Sequence, residues 1–232
     1  MSADTLFYFS KIDSGSANGN AILKQDNQTI SGQKIEYKEF PDSKGVSYAA
    51  RGSVMILEQE RLATCGEAVY DRKNGKTTLR INPEITDNGQ VITGSEIFLK
   101  YKEDVLQDIF IPKDARAIRP TNGTREWFEV VDGDTSTFTD SASFVDDMTG
   151  STLRGFFVDG SLDSLRLEGM ASTIYHLFED SVYQGRNLVS GDTISMKFDN
   201  QDLDHIFVNG GSRGTYTPDS TNGEVDGPVT YS

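Results

Sequence analysis

The sequence has few of the residues that proteins use for covalent or metal-dependent chemistry. Cys65 is the only cysteine among 232 residues, so no disulfide can form within the chain. The two histidines, His176 and His205, do not combine with the distant Cys65 into a metal-ligand spacing. Gly-x-Ser-x-Gly occurs once, at residues 210–214, but no helical apolar stripe follows it to complete the strand–turn–helix corner that holds a nucleophilic serine. We therefore expect no catalytic residues, no metal and no cofactor.

Positive charge and long hydrophobic runs are also scarce. Lys and Arg total 22 against 36 Asp and Glu, which gives a formal net charge of −14. That sign excludes nucleic acid as a partner and disfavours anionic lipid headgroups. Apolar runs such as Leu6–Phe9 and Val54–Leu57 have four residues, far fewer than the ~18 that cross a membrane. No secretory signal starts the sequence, so an exported protein would be represented here by a mature or trimmed form.

A cluster of acidic residues raises the question of a calcium site. An EF-hand loop that starts at Asp132 would need a glutamate at its twelfth position, where the chain has Ser143. We therefore expect solvated turn carboxylates rather than metal ligands. The cluster consists of Asp132, Asp134, Asp140, Asp146 and Asp147.

Alternation of apolar and polar residues is the strongest pattern that the sequence does have. Ile194, Met196 and Phe198 alternate with polar residues, and Ile206 and Val208 do so after a polar turn. An alternation of period two predicts a strand with one buried face, and a turn between two such strands predicts a β-hairpin.

The same hairpin unit recurs along the chain. An offset of 41 carries Leu165 onto Ile206 and Leu167 onto Val208, and an offset of 56 carries Ile109 onto Leu165. Recurrence in register indicates a repeat protein built of β-hairpins. Because no segment of ten or more residues carries a helical apolar stripe, we predict an all-β fold of stacked hairpin repeats.

Three parts of the chain differ in their pattern. Residues 1–18 are predicted to be an N-terminal segment or an edge strand, and residues 219–232 a flexible polar tail. Residues 19–218 form the predicted repeat domain. An inserted hairpin interrupts its period at about 119–147, with a turn predicted at 121–124.

The alternation also predicts which side chains share the inner face of the stack. In register they would form a continuous apolar wall. That wall is either a dry core between two sheets or the lining of a groove, held open by V-shaped hairpins, that can take acyl chains. The positions are Ile97, Leu99, Ile109, Ile111, Leu153, Phe157, Leu165, Leu167, Ile194, Met196, Phe198, Ile206 and Val208.

The order of these motifs resembles the OstA-like lipopolysaccharide-transport family, which includes LptA and the N-terminal domain of LptD. The likeness covers roughly residues 19–218. Two residues differ from the family pattern in the exit, the segment that follows the second strand of a repeat unit. Lys113 replaces the exit glycine in one unit, and Ser212 replaces an alanine in another. The residues that carry the likeness are the repeated steps 148–153 and 190–194, the exits 169–175 and 210–216, and the segments 68–71 and 82–85.

The resemblance implies an elongated β-jellyroll folded like a taco, in the periplasm or cell envelope. Its interior would shelter the acyl chains of lipopolysaccharide or a similar amphiphile, without catalysis. Such domains would form part of a periplasmic bridge to the outer membrane. The implied protein partners are other OstA-like proteins or a second copy of the chain, joined edge strand to edge strand.

Two other functions are compatible with the residues. One is a non-catalytic β-repeat module for adhesion or interaction, whose acidic surface meets a cationic partner. The other is a β-helical enzyme that acts on polysaccharides, since paired carboxylates are available. The enzyme is disfavoured because β-helices have coils of steady length, whereas these hairpins recur at 41 and 56 residues.

Overall fold

The computed structural model describes residues 1–25, 27–40, 43–103, 105–159, 161–199, 202–219 and 227–231. Within these ranges the regular secondary structure consists of β-strands, which confirms the predicted all-β class. Parts of two predicted features lie outside the described residues. They are residues 200 and 201 of the turn predicted after Phe198, and residues 220–226 and 232 of the predicted tail.

The described strands join into one 18-stranded sheet in which most consecutive strands pair antiparallel. In chain order they are β1 (Thr5–Phe9), β2 (Ser14–Gln25), β3 (Gln28–Phe40), β4 (Ser43–Glu58), β5 (Arg61–Asp71), β6 (Lys76–Arg80), β7 (Glu84–Asp87), β8 (Gln90–Thr93), β9 (Glu96–Lys102), β10 (Val105–Ile111), β11 (Ala115–Val131), β12 (Asp134–Gly150), β13 (Thr152–Val158), β14 (Ser161–Glu179), β15 (Val182–Asp199), β16 (Asp202–Asn209), β17 (Arg213–Pro218) and β18 (Val229–Tyr231).

The sheet bends into two layers along a row of corners. At a corner the register shifts: β2 and β3 pair as Asn18↔Lys34 on one side and as Ala21↔Gly32 on the other. Strands β2–β5, β14 and β15 run through both layers. The shorter strands β1, β6, β9, β10, β13 and β16 complete the first layer. Strands β7, β8, β11, β12, β17 and β18 complete the second.

The repeated glycines form the corners because the backbone there needs φ values that other residues resist. Gly169 and Gly210 have φ values of 75° and 74°. The carbonyl of Gly210 accepts a hydrogen bond from the N–H of Asp192 at 2.7 Å, and a Cβ on Gly210 would collide with that aspartate. Where Lys113 replaces the exit glycine, its carbonyl still accepts the equivalent bond from Ser95 at 3.0 Å. The corner therefore tolerates the departure from the family pattern.

Strands β11 and β12 form one long hairpin. They pair without a break from Ala115↔Gly150 to Val131↔Asp134. The turn predicted at 121–124 is wrong, because these residues stay extended within β11. The two strands continue outward beyond the second layer. The insertion predicted at 119–147 corresponds to this outer part of β11 and β12.

Both chain ends contribute strands to the sheet. Strand β1 pairs with β2 from Thr5↔Asn18 to Phe9↔Ser14 and forms an edge of the first layer. In the described part of the predicted tail, β18 pairs with β17 through Tyr216↔Val229.

The apolar core lies between the layers. Leu79, Ile97 and Leu167 of the first layer are fully buried. Ile30 and Val54 of the second layer are also fully buried. One connected core of buried side chains follows the stack from β2 to β15, so each hairpin is stabilised mainly by its neighbours.

Candidate functional site

The predicted inner positions all lie between the two layers. Nine of the thirteen are buried in the packed core: Ile97, Leu99, Ile109, Ile111, Leu153, Leu165, Leu167, Ile194 and Met196. The other four, Phe157, Phe198, Ile206 and Val208, are partly buried and pack against the same core. Most of the predicted wall is thus a dry core, and only part of it borders open space.

An open cavity of about 220 Å³ lies between the layers, on the side away from the corners. Phe157, Leu165, Met196 and Phe198 of the predicted set line it from the first layer. Its further apolar lining is Ile92, Ala117, Ile118, Met148, Leu162, Tyr175 and Leu203. These residues were not in the predicted set, although the offset of 41 that places Leu162 on Leu203 could have identified those two. An apolar cavity of ~150 Å³ holds a benzene molecule, so this one can hold a segment of hydrocarbon chain.

The second layer gives the cavity a polar wall. Arg61 donates to Oδ2 of Asp87 through Nε at 3.0 Å and Nη2 at 2.9 Å. Arg119 donates in the same way to Oδ2 of Asp146, at 3.1 and 2.7 Å. Both pairs line the cavity, which is therefore amphipathic, because the second layer adds paired charges beside its own apolar residues, such as Ile92 and Met148.

Asp146 is buried, not the solvated carboxylate that the sequence predicted. Its side chain is 1% exposed and Oδ1 accepts the backbone N–H of His176 at 2.9 Å. The Nδ1 atom of His176 lies 2.9 Å from the same oxygen, and the Thr121 hydroxyl donates to Oδ2 at 3.3 Å. A buried carboxylate needs such partners. Asp146 thus ties β11, β12 and β14 together beside the cavity.

A second hollow between the layers is lined by polar and tyrosine side chains. It has a volume of about 290 Å³, and Glu58, Tyr70 and Tyr101 are among its lining residues. Tyr48, which is 3% exposed, donates to Oε1 of Gln28 at 3.2 Å and packs against Tyr70 with ring centroids 5.5 Å apart. Polar and tyrosine side chains therefore line this hollow, whereas the lining of the cavity beside Phe157 is largely apolar.

Neither a metal cluster nor a transmembrane helix is found in the ranges given above. No three His, Cys, Asp or Glu side chains among these residues come together as candidate ligands for a metal. No helix in the same part of the chain is long and apolar enough to cross a membrane.

Cys65, Tyr48 and the partly buried Tyr101 are groups that lose protons when the chain unfolds at high pH. Cys65 is 7% exposed. Burial raises the pKa of its thiol from 9.0 to about 11. Burial also raises the pKa of Tyr48 and of Tyr101 above the ordinary value of 10.0. All three groups hold their protons more tightly in the folded state.

We therefore expect the free energy of unfolding to fall as the pH rises above about 9, because the unfolded chain then releases protons that the folded chain keeps. Below that pH all three groups are protonated in both states and contribute no slope. Urea unfolding from pH 8 to about 11 would measure the decline. The variant Cys65→Ala should lose the earliest part of it. A free energy of unfolding that stays constant over this range would contradict the expectation.

The comparison with protein families addresses the first half of the chain. The family model of the LptA/(LptD N-terminal domain) LPS transport protein matches residues 2–105. Over these residues the resemblance to the OstA-like family is confirmed. Among solved structures, the chain is similar to LptH of Pseudomonas aeruginosa, the periplasmic LptA homologue of the conserved lipopolysaccharide transport device. The identity is 14% and the TM-score 0.40, over 45% of this chain and 77% of that chain. No curated protein matches.

The OstA-like match and the cavity overlap only in part. Arg61, Asp87 and Ile92 of the cavity lie within residues 2–105, whereas Phe157 and Met196 lie outside that range. The corners at Gly169 and Gly210 continue the pattern of the OstA-like part, with the same positive φ values as Gly19 and Gly52.

Proposed function

We propose that the chain is a lipopolysaccharide-transport component of the cell envelope that shelters acyl chains of lipopolysaccharide, or of a similar amphiphile, between its two layers. The observation that carries this proposal is the amphipathic cavity, lined by Phe157, Leu165, Met196 and Phe198. The OstA-like match at residues 2–105 supports it.

Acyl chains are the ligand class that best fits this lining. Each methylene moved from water into an apolar site contributes about 0.8 kcal/mol. The four first-layer residues supply such a surface. The opposite wall carries Arg61 and Arg119, which would lie beside the polar part of an amphiphile whose chain occupies the apolar side. The cavity opens to solvent, so a headgroup could stay in water.

The proposed role involves binding and transfer, without catalysis. The charged groups of the cavity are engaged in the pairs Arg61–Asp87 and Arg119–Asp146. A guanidinium held by a carboxylate can orient the polar part of a ligand without taking part in chemistry.

The edge strands provide the proposed contacts with neighbouring proteins. On β1, Leu6, Phe7, Tyr8 and Phe9 are each more than half exposed. Strand β16 has β15 as its strand partner in the first layer at the opposite end. Exposed apolar edges favour addition of another sheet. A further OstA-like protein or a second copy, paired at these edges, would extend the interior into part of a bridge to the outer membrane.

Photo-crosslinking to lipopolysaccharide tests the proposal. A photoreactive phenylalanine analogue at position 157, beside the cavity, should form an adduct with the lipid. The matched control is Phe207, a first-layer phenylalanine that is 64% exposed. The same analogue there should form little adduct. Equal adducts at both positions, or none at position 157, would overturn the proposal. Mass spectrometry of lipids extracted from the purified protein would identify the amphiphile.

A further inference from the structure

The distal part of the β11–β12 hairpin is a ribbon of two strands with both faces in solvent. We name residues 126–141 the acidic arm, because they include five carboxylates and no Lys, Arg or His. Asp134–Ser141 is exposed on every residue. Trp127 and Phe138 stack across the ribbon with centroids 5.7 Å apart. Because a hairpin of two strands is marginally stable in water, a further surface is expected to pack against it.

The root of the arm is anchored to the body. The N–H of Thr124 donates to the carbonyl of Ser181 at 2.8 Å. The guanidinium of Arg125 lies 5.5 Å from the ring centroid of Phe144 and 5.0 Å from that of Tyr183. The arm therefore leaves the second layer in a defined direction, and its aromatic rings are presented in a fixed place.

A surface of the opposite kind covers the outer side of the first layer. We name it the basic face, defined by Lys76, Lys100, Arg154, Arg166, Phe98, Phe110 and Phe156. Lys76 lies directly opposite Lys100, and Arg154 directly opposite Arg166. Like charges in directly opposed positions destabilise a sheet. Arg154 and Arg166 each have a carboxylate partner on this face, so Lys76 and Lys100 carry its excess positive charge in a chain whose net charge is −14.

On their other sides Lys76 lies opposite Asp71 and Lys100 opposite Asp108, but neither aspartate forms an ion pair with its lysine. Asp108 is held by Arg154, with an oxygen-to-nitrogen distance of 2.7 Å. Glu168 is held by Arg166 at 2.7 Å. The ammonium of Lys76 lies 4.5 Å from the ring centroid of Phe98. Among the described residues, neither Lys76 nor Lys100 forms an ion pair within 4 Å.

The aromatic rings of the basic face are accessible. Phe98 and Phe110 stack with centroids 6.2 Å apart, and Phe110 and Phe156 are 36% and 39% exposed. An open hollow on this face is lined by Lys76, Phe98, Lys100, Asp108, Phe110 and Arg154, among others. Rings flanked by cations suit a partner that carries both carboxylates and aromatic rings.

We propose that the acidic arm of one copy of the chain docks on the basic face of a second copy. Carboxylates of Glu129, Asp132 and Asp134 would meet Lys76 and Lys100, while Trp127 and Phe138 would pack on the exposed phenylalanines. The arm extends from the second layer, and the basic face is the outward side of the first. The two surfaces therefore meet between copies and not within one. Reciprocal docking would close a dimer, whereas one-way docking would continue into a chain of copies.

This association is independent of the proposed transport function. It uses neither the cavity nor the edge strand β1, and it would bring copies together side by side rather than end to end. The arm lies within the segment that interrupts the repeat at about 119–147.

Sedimentation velocity of the full chain tests the docking. Self-association should be stronger at an ionic strength of about 0.05 M than at about 0.5 M, because salt screens exposed charges. The arm variant Asp132→Lys/Asp134→Lys and the face variant Lys76→Glu/Lys100→Glu should each weaken self-association by roughly tenfold or more. Mixing these two variants should restore association between them. The arm variant changes exposed residues of the hairpin tip, so it reports on docking even if the face variant folds poorly.

The control variant is Lys24→Glu/Lys113→Glu, which makes the same charge change at exposed lysines outside the face. It should associate like the unaltered chain. Deletion of residues 1–9 should leave the salt-sensitive association in place, whereas edge pairing through β1 would disappear. The proposal is overturned if the control weakens association as much as the face variant, if the mixture fails to associate, or if the chain does not self-associate. Lipid crosslinking at position 157 in the arm variant then reports separately on the transport function.

Discussion

Replacing Asp146 with alanine is expected to lower the free energy of unfolding by about 3–5 kcal/mol, the usual effect of removing one partner from a buried ion pair. The side chain of Asp146 is 1% exposed and that of Arg119 23%. Without the carboxylate, the guanidinium and the backbone N–H of His176 would both lose their acceptor. Urea unfolding, followed by circular dichroism, would measure the loss.

Asp147 supplies a matched control beside Asp146. Its carboxylate also binds an arginine through two hydrogen bonds, from Arg116 at 3.0 and 2.7 Å. The Arg116 side chain, however, is 51% exposed, and exposed pairs contribute only about 0–1 kcal/mol. Asp147→Ala should therefore change the free energy of unfolding little. If both alanine variants lose the same free energy of unfolding, Asp146 has no special structural role. The free energy of unfolding of Asp146→Asn should lie between that of Asp146→Ala and that of the unaltered chain.

A carboxylate at position 157 is expected to block acyl-chain binding while the fold is retained. Phe157 is partly buried and borders the open cavity, so an aspartate there can remain hydrated in the empty protein. When a hydrocarbon chain fills the cavity, that charge must lose water at a cost of several kcal/mol. A penalty of about 3 kcal/mol corresponds to roughly a hundredfold loss of affinity. Binding of a fluorescent fatty acid by the folded variant would measure it.

Two further variants separate a groove from a dry core. Leu167 is fully buried, so Leu167→Asp places an unpaired charge in the core and should unfold the domain. Val158, which follows Phe157 and is 57% exposed, should tolerate aspartate with lipid binding unchanged. If Phe157→Asp unfolds the chain as Leu167→Asp does, the space around position 157 behaves as core. If the folded variant binds the probe normally, the ligand does not enter this cavity.

The sequence shows less about the β11–β12 hairpin than about the repeats. The residues at 121–124 have the composition of a turn, yet they stay extended in β11. Gly123 lies against the ring of Phe178, and the N–H of Thr124 bonds to Ser181. These partners are more than fifty residues away in the chain, so a local turn preference could not reveal them.

The burial of Asp146 was also invisible in the sequence. In a run of aspartates it has the same local composition as Asp132 and Asp134, which are exposed. Its burial depends on Arg119, 27 residues earlier, and on His176, 30 residues later. Only the pairing of β11, β12 and β14 brings the three side chains together.

The sequence by itself determined the all-β class, the hairpin repeats and the inward direction of thirteen side chains. Each of these follows from a local rule, because strands alternate their faces with period two. The tertiary structure alone decided that Leu167 lies in a dry core whereas Phe157 borders a cavity. Whether space stays open between the two layers depends on the total volume of side chains from strands far apart in sequence. A local sequence pattern does not show that total volume.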